Sequence, residues 1–211
     1  MIRLLSILST LLPITFFFIY KERNKERRLW VIFINCCLSF LSDASYKLLY
    51  YLKGNLGFDV YIFYTFVEYT LMAIFFYLTL KTPAFKKTVI VCSVLFYIIF
   101  PINIIYYRNL NFDSLTFSAE AGFVVVFSIM YFYEQINDPN ITFVYGTKSF
   151  WVIIGFLLYT TVGLFPYITD PFLNHKEHRL LAPIPFMANI LKNILFTISF
   201  YMLPPPVVSK R

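Results

Sequence analysis

The chain has 211 residues, of which 59% are apolar, 21% aromatic and only 14% charged, and its mean hydropathy is +0.70. Such a composition excludes a water-soluble globular domain. The apolar residues gather in stretches close to the roughly 20 residues a helix needs to cross a bilayer, so the expectation is an all-α polytopic membrane protein. The net charge of +7 reads as a topology signal with an attraction to anionic lipid headgroups. It calls for no nucleic acid partner.

Seven transmembrane helices are predicted in chain order, at about residues 2–20, 29–51, 60–80, 88–107, 115–133, 149–168 and 183–203, forming one transmembrane domain. The first is expected to be retained, because no small-residue cleavage site follows it and residues 21–28 are strongly charged. Arg3, Lys53, Arg108, Lys176 and Arg179 fall on the side of the N-terminus. Lys21, Arg23, Lys25, Arg27, Arg28, Lys81, Lys86, Lys87, Lys148, Lys210 and Arg211 fall on the other. Because cations resist translocation, this bias predicts an N-terminus outside and a C-terminus in the cytosol.

Pro13, Pro101, Pro166 and Pro185 lie inside spans and are expected to kink or locally unwind them. Cys36, Cys37 and Cys92 fall in apolar stretches with no Cys-x-x-Cys spacing and read as packing residues. No phosphate-cradling G-x-x-x-x-G-K-[ST] is present, and His175-Lys176-Glu177-His178 matches no zinc spacing. No metal, cofactor or catalytic residue is assigned, and the connections are short. A binding or catalytic site must therefore lie among the helices or in the loops 134–148 and 169–182.

Ionisable groups at membrane depth are the candidates for function, each costing roughly 2.5–3.5 kcal/mol on insertion scales. They are Asp43, Lys47, Glu68, Glu120 and Lys192. Counted at about 1.5 Å per residue, Lys192 and Glu68 lie within about 3 Å of the midplane. Asp43 lies about 4.5 Å and Glu120 about 6 Å from it, all displaced toward the outer side. Asn35, Ser39, Ser42, Asp43, Tyr46, Lys47 and Tyr50 make one polar stripe on span two, and Asp43 and Lys47 are neighbours one turn apart. Tyr61, Tyr64, Thr65 and Glu68 share a side of span three, and Asn189, Lys192, Asn193 and Thr197 a side of span seven. An outward-facing polar cavity lined by Asp43, Glu68, Glu120, Asn189, Lys192 and Asn193 is the expected ligand-binding site. Three carboxylates against two amines leave one negative charge to be met by a proton, water or an amine-bearing ligand.

Tyr64-Thr65-Phe66-Val67-Glu68-Tyr69 with Phe75-Phe76-Tyr77 resembles the third helix of a family of uncharacterised seven-helix proteins abundant in Bacteroidota. Ser118-Ala119-Glu120, Ser149-Phe150-Trp151 with Gly155 and Tyr159, and the run from Asn189 through Lys192 and Asn193 to Phe196 extend the similarity over most of the chain. The resemblance implies a bacterial inner-membrane accessory of signalling systems, associated with sensor kinases, and brings no established activity with it. A lysine in the last helix with a carboxylate on the third is also similar to the retinal site of microbial rhodopsins. Ala188 stands where many of those proteins carry Asp, no Arg precedes Glu68 in its helix, and Asn193 adds polarity.

Several functions follow as alternatives: a receptor-like sensor acting through a partner, a scaffold without ligand, a proton-coupled transporter, and a retinal-binding protein. A transporter is expected to show internal repeats, and the only echo is Thr65 to Glu68 against Thr116 to Glu120, one residue out of register. Enzymatic action on lipids lacks a His within a span and a G-x-S-x-G turn.

Overall fold

Hydrocarbon offers no partner to a backbone amide, so an apolar run is expected to close its hydrogen bonds within itself as a helix. The computed structural model describes residues 1–53, 56–107, 114–139, 143–169 and 181–203, and among them there is no strand. The helices are α1 (Ile2–Ser9), α2 (Leu11–Ile19), α3 (Arg27–Lys53), α4 (Leu56–Thr79), α5 (Pro83–Tyr107), α6 (Ser114–Asn137), α7 (Lys148–Thr169) and α8 (Ile184–Tyr201). Short 3-10 turns occupy Lys21–Arg23 and Val144–Gly146.

Among the described residues, six stretches are long and apolar enough to cross a membrane: Ile2–Ile19, Arg27–Ser45, Pro83–Ile105, Leu115–Asn137, Lys148–Phe165 and Ile184–Tyr201. A shorter apolar stretch, Phe63–Thr79, lies in α4. Six to seven apolar helices are compatible with a polytopic membrane protein. The surface agrees, since Leu4, Leu5 and Leu8 of α1 and Ile90, Val91, Val94, Leu95 and Ile98 of α5 are exposed. Apolar patches of that kind are rare on soluble monomers.

The helices pack in chain order around a closed ring. The α1–α2 segment lies against α3, then α3 against α4, α4 against α5, α5 against α6, α6 against α7 and α7 against α8, which returns to α1 and α2. Successive helices alternate in direction, so one end of the bundle holds Met1 and the other holds Asn24.

At the prolines the described structure follows the sequence expectations in part, and at one helix end it departs from them. The first span is two helices, interrupted at Thr10, three residues before Pro13, whose ring nitrogen cannot donate back along the helix. By contrast α5 runs unbroken through Pro101, and Pro185 sits in the first turn of α8, where its missing donor costs nothing. Finally, α6 continues to Asn137, so Glu134 belongs to a helix and not to a loop. The side chain of Lys47, the segment with His175 and His178, and residues Arg108, Lys176, Arg179, Lys210 and Arg211 lie outside the described residues.

Along the bundle axis the interior divides into two halves. Toward the Asn24 end, Phe17, Phe75, Phe76, Phe127, Phe156 and Phe200 are fully or almost fully buried and contact one another edge to face or tilted. Toward the Met1 end the same helices turn polar residues inward, including Ser42, Thr65, Glu68, Thr116, Glu120 and Lys192. In lipid no water is expelled when helices meet, so close van der Waals packing of the aromatic half is what holds them.

Gly155 shows how close that packing is. A Cβ there would meet Phe196 Cε1 at 2.8 Å, and the fully buried Phe196 ring stands edge-on to Phe156 with centroids 5.0 Å apart. The ring has nowhere to retreat. Gly155→Ala is expected to cost about 1–3 kcal/mol in a detergent unfolding titration. Gly122→Ala on α6, where a Cβ meets nothing within 4 Å, is expected to be neutral or stabilising by up to about 1 kcal/mol.

A polar network closes the Asn24 end. The buried Lys148 ammonium donates to the Arg23 carbonyl at 2.7 Å and to Asn24 Oδ1 at 2.7 Å. Asn24 Nδ2 donates to the Phe200 carbonyl at 3.0 Å, and Ser199 Oγ donates to the Lys148 carbonyl at 2.9 Å. On the other side of this end, the Glu134 carboxylate accepts from the Lys81 amide at 2.9 Å and the Thr82 amide at 2.6 Å. Those amides precede α5, so Glu134 holds the α4–α5 connection against α6. Glu134→Ala is expected to cost about 1–3 kcal/mol, read as a lower melting temperature in micelles.

Candidate functional site

The interior of the Met1 half is built from α3, α4, α7 and α8. On α8, Asn189, Lys192 and Asn193 fall on one face by helical spacing. The Lys192 side chain is 2% exposed and reaches the buried Glu68 of α4, with Nζ 3.3 Å from Oε1. On its other side Nζ sits over the Tyr159 ring of α7, 3.6 Å from the centroid. The ammonium is thus held by one carboxylate and one aromatic face, an arrangement that keeps a charge inside the bundle.

That pair is the centre of a wider polar cluster. Asp43 on α3 is half-buried and lies within electrostatic reach of Lys192 and Glu68, and of Arg3 on α1. The buried Tyr64 hydroxyl, one turn from Glu68, faces Glu68 and Ser39. It makes no hydrogen bond of good geometry, and neither does Ser42 Oγ. On α3, toward the aromatic half, both amide atoms of Asn35 are buried without a partner; its neighbour Cys36 lies within reach of Lys192 and Glu68. Thr116 Oγ1 and Ser128 Oγ on α6 are buried and unpartnered as well.

Buried polar atoms left without partners carry a desolvation cost of about 1–3 kcal/mol each. They are spread along the bundle, with Ser42, Tyr64 and Thr116 in the Met1 half and Asn35, Ser128 and Ser149 nearer the Asn24 end, and each calls for a molecule that supplies a donor or an acceptor. Water meets that description, as does a polar solute.

The six residues expected to line one cavity do different things. Glu68 and Lys192 form the ion pair, and Asp43 stands near it. Asn189 and Asn193 turn toward α1, where their Nδ2 groups donate to Ser6 Oγ and Ser9 Oγ, each at 2.8 Å. They fasten the half-helix α1 to α8 immediately before the break at Thr10. Glu120 is buried on α6, and its charge is felt at Tyr69 of α4, whose ring stacks on Phe96 with centroids 3.7 Å apart.

Ser6 and Ser9 escaped notice in the sequence, although two serines three residues apart in an otherwise apolar run were a legible signal. Among the described residues no group of three or more His, Cys, Asp or Glu is placed to hold a metal ion. No family model, no curated protein and no solved structure matches the chain.

Proposed function

We propose that this chain is a seven-span bacterial inner-membrane protein with its N-terminus outside, and that the polar Met1 half is an outward-facing site for a small ligand. In this reading it is a receptor-like or accessory component of a signalling system, coupled to a sensor kinase or another membrane partner. The motif resemblance to the seven-helix family of Bacteroidota points the same way.

One observation carries the reading: a buried ion pair, Glu68–Lys192, in a polar cluster with Tyr64 and Asp43, beside the unpartnered polar atoms of Ser42 and Asn35 on α3. A carboxylate has room for about four hydrogen bonds, and a buried pair is stable only when its remaining capacity is met. A ligand with an amine and an acceptor group complements Glu68 and Asp43 on one side and Lys192 on the other. Binding biases the helices only by its difference in affinity between two packings. The fastening of α1 to α8 through Asn189 and Asn193 lies beside the site and is where such a difference would be felt.

Native mass spectrometry of the protein in mild detergent tests this, run beside Glu68→Gln and Lys192→Met proteins of matched folding. The expected result is a co-purifying mass lost in both variants, whose value separates metabolite, lipid and retinal. Three empty samples would favour the scaffold.

The break at Thr10 favours a second reading, a transporter, because discontinuous helices beside buried polar groups recur in transporters. Its signature is proteoliposome flux that depends on Glu68 or Glu120.

A further inference from the structure

The Asn24 end carries a charge arrangement that helix energetics alone does not explain. Three helices, α3, α5 and α7, begin there, and none has an acidic residue in its first turn. Arg27 and Arg28 open α3, Lys86 lies in the first turn of α5, and Lys148 opens α7. A helix N-terminus is the positive end of the helix dipole, where cations are disfavoured and anions stabilised. Carboxylates meet two of these starts, Glu134 on the Lys81 and Thr82 amides ahead of α5 and Glu26 directly ahead of α3, yet the end as a whole stays rich in cations.

Internal partners absorb part of this charge. Arg28 pairs with Glu26, Lys25 with Glu22 and Lys81 with Asp138, Lys86 lies over the Tyr77 ring, and Lys148 is buried against Arg23 and Asn24. Lys21, Arg23, Arg27 and Lys87 remain exposed, Arg23 with its guanidinium 4.9 Å from the centroid of the Tyr20 ring. The loop that carries the first two is not loose. Its carbonyl at Arg23 and the Asn24 side chain are clamped from below by Lys148, which turns the Lys21 and Arg23 side chains outward on a fixed backbone.

Around the same end, Trp30, Tyr133, Tyr145 and Tyr201 are exposed. Tyrosine and tryptophan rings of this kind sit at headgroup depth, which brings the cations level with lipid phosphates. At the Met1 end the one cation whose side chain is described is Arg3, within reach of Asp43.

We propose that the Asn24 end is a docking surface for anionic phospholipid headgroups. Their phosphates are held by the exposed cations Lys21 and Arg23 of the loop before α3, Arg27 at its start and Lys87 one turn into α5. A surface potential from anionic lipid supplies the attraction, and added salt weakens it. This inference is independent of the interior site and does not need it to be occupied.

The test uses the full chain in nanodiscs of phosphatidylcholine, with and without phosphatidylglycerol. The melting temperature is expected to rise by about 2–4 °C with phosphatidylglycerol, and the rise is expected to shrink at high salt. A Lys21→Gln, Arg23→Gln, Arg27→Gln, Lys87→Gln protein is expected to melt in pure phosphatidylcholine like the original and to lose the rise. Equal melting of the original protein in both lipids, or the same rise in the variant, would overturn the proposal. So would an equal rise with inorganic phosphate in phosphatidylcholine discs, which would assign the surface to a free anion. If the fourfold variant fails to fold, Lys87→Gln with Arg27→Gln is read in its place, and an undiminished rise there also overturns the proposal.

Discussion

Replacing Lys192 by Met is expected to destabilise the protein by about 3–5 kcal/mol, the cost of breaking a buried ion pair from one side. The Glu68 carboxylate, 3.3 Å from Nζ, is then left in the bundle without its cation, and the Tyr159 ring loses the charge it faces. Glu68→Gln is expected to act in the same direction, since it leaves a buried ammonium beside Tyr159. The double variant Glu68→Gln, Lys192→Met is expected to recover much of the loss, because two neutral groups of similar size carry no unmet charge. Unfolding titrations of the four proteins in one detergent give the coupling energy directly. Additive losses would show that the two side chains do not act as a pair.

The second large effect is expected at the opposite end of the bundle. Lys148→Met removes the donor for the Arg23 carbonyl and for Asn24 Oδ1, leaving two acceptors unmet at a cost of about 2–3 kcal/mol. Asn24→Ala is expected to cost less, because the ammonium keeps the Arg23 carbonyl while the Phe200 carbonyl loses its donor. Once the clamp is gone the 21–25 segment opens more often, so trypsin is expected to cut after Lys21, Arg23 or Lys25 faster in Lys148→Met than in the original protein. Unchanged cutting would mean that the loop is held by other contacts.

Much of the architecture was legible in the composition because apolar length is a strong signal. The long run in α5 and the runs of α6, α7 and α8 stand in the sequence as mainly apolar stretches, broken by Glu120 in α6 and by Asn189, Lys192 and Asn193 in α8. Their ends were less legible. Glu134, Gln135 and Asn137 continue α6 past its apolar stretch, where periodicity no longer distinguishes helix from loop. The break at Thr10 was legible only through Pro13, since the residues on both sides of it are apolar.

At the site, helical spacing showed which residues share a face but not what that face meets. Lys192 and Asn193 are adjacent in sequence, yet one reaches α4 and the other α1. The partners lie more than a hundred residues away, a separation that no local pattern encodes. The same holds for Lys148, counted as a loop cation in the sequence, whose acceptors lie in the first loop. Asp43, by contrast, stood on a stripe visible in the sequence, where its neighbour was Lys47, and lies within electrostatic reach of the Glu68–Lys192 pair.

The proposal that the polar Met1 half faces outward and is reachable from there, with the aromatic half closed, is tested most directly by thiol labelling in intact cells. Cys36, Cys37 and Cys92 are first replaced by Ala, and single cysteines are then placed at Asp43 in the polar half and at Ala73 in the aromatic half. A membrane-impermeant thiol reagent added from outside is expected to modify Asp43→Cys and to leave Ala73→Cys unmodified until the protein is denatured. Modification of Ala73→Cys with Asp43→Cys protected would contradict both the proposed orientation and the proposed access to the polar half.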